Sequence, residues 1–146
     1  DAVLFTHAHA DHLMGFDDLR AINRLQEEKI PCYGNQATIS EINKTFNYIF
    51  NPHQLGGGIP QVILKEINST LKIKDFEIEP LPIKHGKLDI LGYRINNMAY
   101  LTDCSFIPES TFKLLEGIDL LVIDALRYKN HSTHMNLKEA LAVVKR

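Results

Sequence analysis

The residues best able to do chemistry lie at the start of the chain: His7, His9, Asp11 and His12, in the run His7-Ala8-His9-Ala10-Asp11-His12. Imidazole nitrogens and carboxylate oxygens are the donors that borderline divalent cations accept. The preceding run Ala2-Val3-Leu4-Phe5-Thr6 is apolar and β-rich, and it reads as a buried strand. A strand ending in His-x-His sends both rings to one side, because side chains alternate across it. Two such rings can share one cation at about 2.0–2.1 Å each. The turn that follows carries Asp11 and His12 to the neighbouring side, where a second cation fits. Two cations about 3.5–4 Å apart hold a nucleophile and a substrate oxygen together, which is the chemistry of hydrolysis.

Two later residues fit the same centre. His85 follows the strand expected over 78–83, in the turn Lys84-His85-Gly86, and Asp103 follows the strand Ala99-Tyr100-Leu101-Thr102. A carboxylate at a strand end can bridge two cations through its two oxygens. Alone, His85 would read as a surface or packed residue and Asp103 as a cap or loop residue; beside the first motif both read as ligands. His131-Ser132-Thr133-His134 is a further cluster, whose ordinary reading is a loop before a capped helix.

The elements that must position these groups alternate along the chain. Asp17-Asp18 open a helix over 19–28 with apolar positions at Leu19, Ile22 and Leu25, the acids suiting the positive end of its dipole. Pro31 to Gly34 reads as a brief strand. A second helix is expected over 37–48, with Ile39, Ile42, Phe46 and Ile49 as its stripe. The stretch 51–60, with Pro52, Gly56, Gly57, Gly58 and Pro60, is a loop able to close over a substrate. Strands follow near 61–67, 76–83, 92–95 and 98–101, divided by Asn68-Ser69 and Asn96-Asn97. Ser105 is expected to cap a short helix with Pro108 in its first turn. Leu120 to Ile123 is a buried strand, and Asn136 with Glu139 forms a capping box opening a final helix. Mixed strands and helices indicate α+β or α/β, and 146 residues suffice for one domain over residues 1–146.

Composition excludes several classes. Sixteen basic and eighteen acidic residues give a net charge of -2, with no electrostatic reason to expect nucleic acid or an anionic membrane. No apolar run is long enough to span a bilayer. Cys32 and Cys104 are too few for a disulfide framework, so free thiols in a cytoplasmic protein are expected.

The full pattern resembles the metallo-β-lactamase superfamily, whose signature is His-x-His-x-Asp-His, then a single His, a bridging Asp and a last His. The resemblance implies an αββα sandwich with two divalent metal ions. It assigns His7, His9 and His85 to one site and Asp11 and His12 to the other, with Asp103 between them. Zn²⁺ suits this donor set best, and Mn²⁺ and Fe²⁺ accept it. Thr6 to His12, Gly15-Phe16-Asp17-Asp18-Leu19-Arg20, Gly56 to Pro60, and Thr102-Asp103-Cys104-Ser105 with Ile107-Pro108 resemble the phosphoribosyl cyclic phosphodiesterase branch. Ribonuclease Z is the better-known cousin. That branch implies a small cyclic phosphodiester as substrate, with Asp11 orienting the nucleophile. It also implies a histidine of the 131–134 segment acting as general acid, His134 favoured over His131. An RNA-processing nuclease, a thioester or lactam hydrolase, and a non-catalytic metal-binding fragment are the rival readings.

Two features depart from the family pattern. The histidine-rich turn begins at residue 7, where the family has several strands before it, and the chain reaches Arg146 before a last ligand histidine. The expectation is a sandwich truncated at both ends, with a weaker second metal site and low activity. A bare strand edge in such a chain invites pairing with a second copy.

Overall fold

The computed structural model describes residues 1–53 and 58–146. Gly56 and Gly57 of the loop expected to cover a substrate lie outside the described residues. The chain divides into two compact units, Asp1–Ile67 and Asn68–Arg146, taken in turn below.

The first unit is built on a parallel three-stranded sheet, ordered β1-β2-β3, of β1 (Val3–Leu4), β2 (Ile30–Gly34) and β3 (Val62–Glu66). Val3 pairs with Cys32, and Ile30 pairs with Val62. Parallel strands need helical crossovers. The first crossover holds α1 (Ala10–Leu13), a 3₁₀ segment Met14–Asp18 and α2 (Leu19–Gln26); the second begins with α3 (Gln36–Thr45) and α4 (Asn47–Phe50). Phe5, Leu13, Phe16, Ile30, Cys32, Ile42, Phe46 and Ile49 form the core.

Two helices differ from the sequence expectation. The helix expected over 19–28 stops at Gln26, because Glu27 takes a left-handed φ of 56° and caps it through its N–H to the Asn23 carbonyl. Its outer stripe is not core: Leu19 packs against the core, but Ile22 and Leu25 are exposed. The helix expected over 37–48 breaks at Phe46, whose φ of -106° and ψ of 38° are not helical. Phe46 is buried with its ring centroid 5.0 Å from that of Phe16, so ring packing is favoured over an unbroken helix. Asn35 starts α3 cleanly, its side-chain oxygen accepting the Thr38 N–H at 2.8 Å.

The second unit is a five-stranded sheet of β4 (Leu71–Ile73), β5 (Phe76–His85), β6 (Leu88–Ile95), β7 (Met98–Leu101) and β8 (Leu120–Ile123), in that order. All neighbours are antiparallel except β7 and β8, which are parallel. Hence β5, β7 and β8 run the same way, and their C-terminal ends share one edge of the sheet. Helices α5 (Glu109–Leu114) and α6 (Leu137–Val144) complete the unit. Leu81, Ile83, Ile90, Ala99, Leu101, Cys104, Ile107 and Met135 form its core.

β5 carries Pro80 and Pro82, residues that cannot donate to a ladder. β4 covers only Phe76 to Ile78, so beyond Ile78 one side of β5 has no ladder. Residues 80, 82 and 84 turn their backbone groups to that side. There the Pro82 carbonyl accepts from Thr111 Oγ1 at 2.6 Å, and the Lys84 N–H donates to the Phe106 carbonyl at 2.9 Å. β4 was not anticipated from the sequence, and β6 begins four residues before its expected start. Ser105 caps no helix. Pro108 occupies the N-cap of α5, while Ser105 Oγ accepts the Gly86 N–H and donates to the Lys84 carbonyl. The capping box of Asn136 and Glu139 is present at α6.

Candidate functional site

In the first unit β1 delivers the chain to the histidine run. The Phe5 N–H donates to the Tyr33 carbonyl, extending the pairing with β2 just past Leu4. Thr6 and His7 are buried, and Thr6 Oγ1 lies 3.0 Å from His7 Nδ1. His7 Nε2 then meets His9 Nδ1 at 3.0 Å, so the two rings present a nitrogen each to one point. The latter half of the run is not an irregular turn: Ala10–Leu13 is one turn of helix with His9 at its N-cap. That turn stacks His12 on His7, with centroids 4.2 Å apart, and leaves Asp11 exposed with its carboxylate 3.5 Å from His12 Nε2. All four expected ligands of this unit are therefore grouped.

In the second unit the groups sit at the shared C-terminal edge. His85 is the last residue of β5, not a turn residue, and it is buried. Its Nδ1 lies 2.7 Å from the Thr133 carbonyl. A carbonyl only accepts, so Nδ1 carries the hydrogen and Nε2 presents its lone pair. That is the tautomer a ligand histidine needs. Nε2 lies 4.0 Å from Asp103 Oδ2. Asp103 comes two residues after β7 and holds a left-handed φ of 50°, an uncommon state that short polar residues tolerate best. Its other oxygen accepts from Thr102 Oγ1 at 3.0 Å.

The 131–134 segment packs directly on His85. His134 meets the His85 ring edge-on at 4.7 Å between centroids, and His131 meets His134 at 5.0 Å. His131 and His134 differ in what holds them. His131 Nδ1 accepts the Thr133 N–H at 3.3 Å and so braces its own turn. His134 Nδ1 lies 2.8 Å from Asp124 Oδ2. Asp124, one residue past β8, was missed from the sequence. The only available signal was its place at a strand end, since the ten residues separating it from His134 match no local motif. Arg127 shapes the intervening loop by donating to the carbonyls of Lys129 and Asn130.

The donors fit divalent metal: imidazole nitrogens and carboxylate oxygens in each unit, with one ring nitrogen of His85 fixed as an acceptor. The thiols are not part of this set. Burial pushes Cys104 up to about 12, a backbone hydrogen bond with Phe106 opposing the rise and the Asp124 charge adding to it. Burial alone pushes Cys32 up to about 12. Both remain protonated thiols in the core, whereas ligation and nucleophilic attack need thiolate.

Comparison with known proteins places these groups in context. A family model described as the beta-lactamase superfamily domain matches residues 1–146. The chain is 38% identical over 149 residues to an octanoyltransferase of Porphyromonas gingivalis, a match covering 99% of this chain and 29% of that protein. Among solved structures it is similar to a diphosphatase of the PhnP family, with a TM-score of 0.87 and 34% identity over 99% of this chain and 55% of that one. It also shares the fold of YhfI, a metallo-beta-lactamase fold protein of Bacillus subtilis, with a TM-score of 0.75 at 22% identity, covering 99% of this chain and 58% of that one. The chain thus spans under a third of the first relative and little more than half of the two structures. No described helix is long and apolar enough to cross a membrane.

Proposed function

Because the chain belongs to the beta-lactamase superfamily, we propose that it supplies the metal-binding residues of a hydrolase acting on a small phosphodiester or diphosphate. In this reading His7, His9 and His85 would be the ligands of one divalent cation and Asp11 and His12 those of a second, with Asp103 as a further carboxylate ligand. Zn²⁺ is the expected metal, and Mn²⁺ or Fe²⁺ suits the same donors. When bound, such cations acidify water to near-neutral pKa and offset negative charge on phosphoryl oxygens.

The remaining steps belong to the chain's own groups. Asp11, exposed at the first turn of α1, orients the attacking water by accepting its hydrogen. The Thr133 carbonyl keeps His85 in its ligand tautomer. His134 passes a proton to the leaving oxygen, so that the departing group leaves as an alcohol and not as an alkoxide. His134 is favoured over His131 because its ring lies against that of His85, whereas His131 packs on the His134 ring behind it.

The single observation that supports this reading most is the likeness to the PhnP-family diphosphatase at 34% identity. A second reading, action on an acyl ester or thioester, has the support of the octanoyltransferase match at 38% identity. One panel separates them. Purified protein, stripped of metal and reloaded with Zn²⁺, Mn²⁺ or Fe²⁺, is offered bis-p-nitrophenyl phosphate, a cyclic nucleotide, a dinucleoside diphosphate and an octanoyl thioester. Metal-dependent cleavage of phosphoric esters, lost in His7→Ala and His85→Ala, is the expected result. Turnover of the thioester alone would replace this reading by the second.

A further inference from the structure

The segment after Asp103 is tied to the end of β5 by its backbone and by one side chain. The Ser105 N–H donates to the Lys84 carbonyl at 2.7 Å, and the Lys84 N–H donates to the Phe106 carbonyl at 2.9 Å. Lys84 and Phe106 thereby form an isolated antiparallel bridge. Ser105 Oγ adds a second tie: it accepts the Gly86 N–H at 2.8 Å and donates to the Lys84 carbonyl at 3.1 Å. Lys84 and Gly86 are the chain neighbours of His85. One hydroxyl therefore spans the backbone on both sides of His85, and it belongs to the residue two places after Asp103.

A hydroxyl suits this place because a single oxygen both accepts and donates. Alanine at 105 would keep the backbone bonds of residues 105 and 106, so the segment would stay attached at Lys84. Only the Gly86 side would come free. Gly86 turns β5 into β6 with a φ of 60°, and glycine has no side chain of its own to restrain that turn. The His85 ring is held separately, its Nδ1 on the Thr133 carbonyl at 2.7 Å. The Ser105 hydroxyl instead fixes the backbone from which the ring projects. The Asp103 side of the segment is fixed as well, since the Cys104 carbonyl accepts the Met135 N–H at 2.8 Å.

Thr111 supplies a contrast on the same side of β5. It is fully buried, and its hydroxyl donates to the Pro82 carbonyl at 2.6 Å. Pro82 does not adjoin His85. The Thr111 bond therefore secures α5 against the strand without touching the backbone that carries the ring.

We propose that Ser105 is a positioning residue: its hydroxyl clamps the backbone on either side of His85 and so sets the separation of that ring from the Asp103 carboxylate, 4.0 Å from Nε2 to Oδ2. This rests on the reading of His85 and Asp103 as metal ligands. Side chains that converge on one ligand must be held to within about 0.5 Å. A turn released at Gly86 loses that tolerance while the strand beneath it stays paired.

The test uses the full chain, stripped of metal and titrated with Zn²⁺ against a chelator. Affinity of the folded chain does not depend on how readily it unfolds, so long as it stays folded. Ser105→Ala is expected to raise the Zn²⁺ dissociation constant about 10-fold or more, and Ser105→Thr, which keeps the hydroxyl, should stay within about threefold of the wild type. Thr111→Val should lower the urea midpoint yet leave Zn²⁺ binding within about threefold. Wild type in enough urea to match the stability of Ser105→Ala gives the same comparison without a second substitution. A readout free of metal comes from the metal-free protein. In Ser105→Ala the Gly86 amide should exchange its hydrogen faster while the Lys84 amide stays protected. Its crystal structure should show the distance from His85 Nε2 to Asp103 Oδ2 changed from 4.0 Å by more than about 0.5 Å. Unchanged Zn²⁺ binding, a loss that Thr111→Val or matched urea reproduces, no rescue by threonine, or an unmoved distance would overturn the proposal. Failure of Ser105→Ala to fold would overturn it too, because the hydroxyl would then serve the fold. If the wild type binds no Zn²⁺, the ligand reading fails, and the metal-free distance and exchange still decide whether Ser105 sets this geometry.

Discussion

Replacing Gly86 by alanine should be among the most damaging small changes in the second unit, for two separable reasons. Gly86 joins β5 to β6 with a φ of 60°, and an added Cβ there would lie 2.7 Å from Thr133 Cγ2 and 3.5 Å from Thr133 Cβ. The left-handed backbone costs alanine about 1–2 kcal/mol. Over-packing of a stiff β-branched neighbour costs about 1–3 kcal/mol. Gly86→Ala should therefore lose about 2–5 kcal/mol, read as a lowered urea midpoint with unchanged slope. Thr133→Ser deletes Cγ2 and so the steric part. In that background Gly86→Ala should cost only the backbone share, about 1–2 kcal/mol. The same substitution should also reach His85, the ligand proposed above, because displacing Thr133 moves the carbonyl that faces His85 Nδ1. Loss of such a partner weakens metal binding by about 10–100-fold, measurable by competition with a chelator. If Gly86→Ala costs the same with Ser as with Thr at position 133, the steric argument is wrong. If it costs less than about 0.5 kcal/mol in both, the reasoning fails altogether.

Three further outcomes follow from the same kind of argument. Gly92→Ala should lose at least about 2 kcal/mol by the same unfolding assay, because its Cβ would meet Leu101 Cδ2 at 2.4 Å and the Tyr100 carbonyl at 2.8 Å; wild-type stability would show that β6 and β7 are not so close. Asn136→Ala should cost about 0.5–2 kcal/mol, since Asn136 caps α6 through Glu139 and also donates to Asn130. Glu139→Ala removes only the return bond and should cost less. For the thiols, burial raises Cys32 and Cys104 from 9.0 to about 12. Below pH 9 folded and unfolded chains both keep these protons, so stability is insensitive to them. Between pH 9 and 12 the unfolded chain binds fewer protons than the folded one, so their contribution is lost as pH rises. A stability profile whose fall over that range does not lessen in Cys32→Ala would contradict this, as would rapid labelling of either thiol at pH 8 without denaturant.

Much of the fold was legible because burial and turn chemistry leave local traces. Leu120 to Ile123 is a strand as its apolar run suggested, though not the buried one expected, since Leu120 and Val122 are exposed, and the Asn136–Glu139 spacing is a capping box because its hydrogen bonds are local. What failed was decided at a distance. The helix over 37–48 had suitable spacing, but burial of the Phe46 ring against Phe16 interrupts it. Ser105 was read as a cap from its type, yet its hydroxyl serves the β5–β6 turn across the sheet edge. Ile22 and Leu25 looked like a core stripe, and α2 leaves them exposed.

The histidine run shows the division most clearly. Spacing alone identified His7, His9, Asp11 and His12 as metal-ligand types, because four coordinating side chains fall within six residues after an apolar run. The run of residue types did not reveal that Asp11 and His12 ride on a turn of helix, which stacks His12 on His7. His85, Asp103, Asp124 and His134 needed the tertiary structure for a different reason. They come from the ends of three strands and a loop, and only the strand order β5-β6-β7-β8 turns those ends to one edge. Residue type was enough to nominate ligands. The partner of each ring nitrogen, the Thr133 carbonyl for His85 and the Asp124 carboxylate for His134, is set by hydrogen bonds spanning 48 and 10 residues. No local pattern encodes such bonds, because the energy that selects them is the packing of the whole sheet.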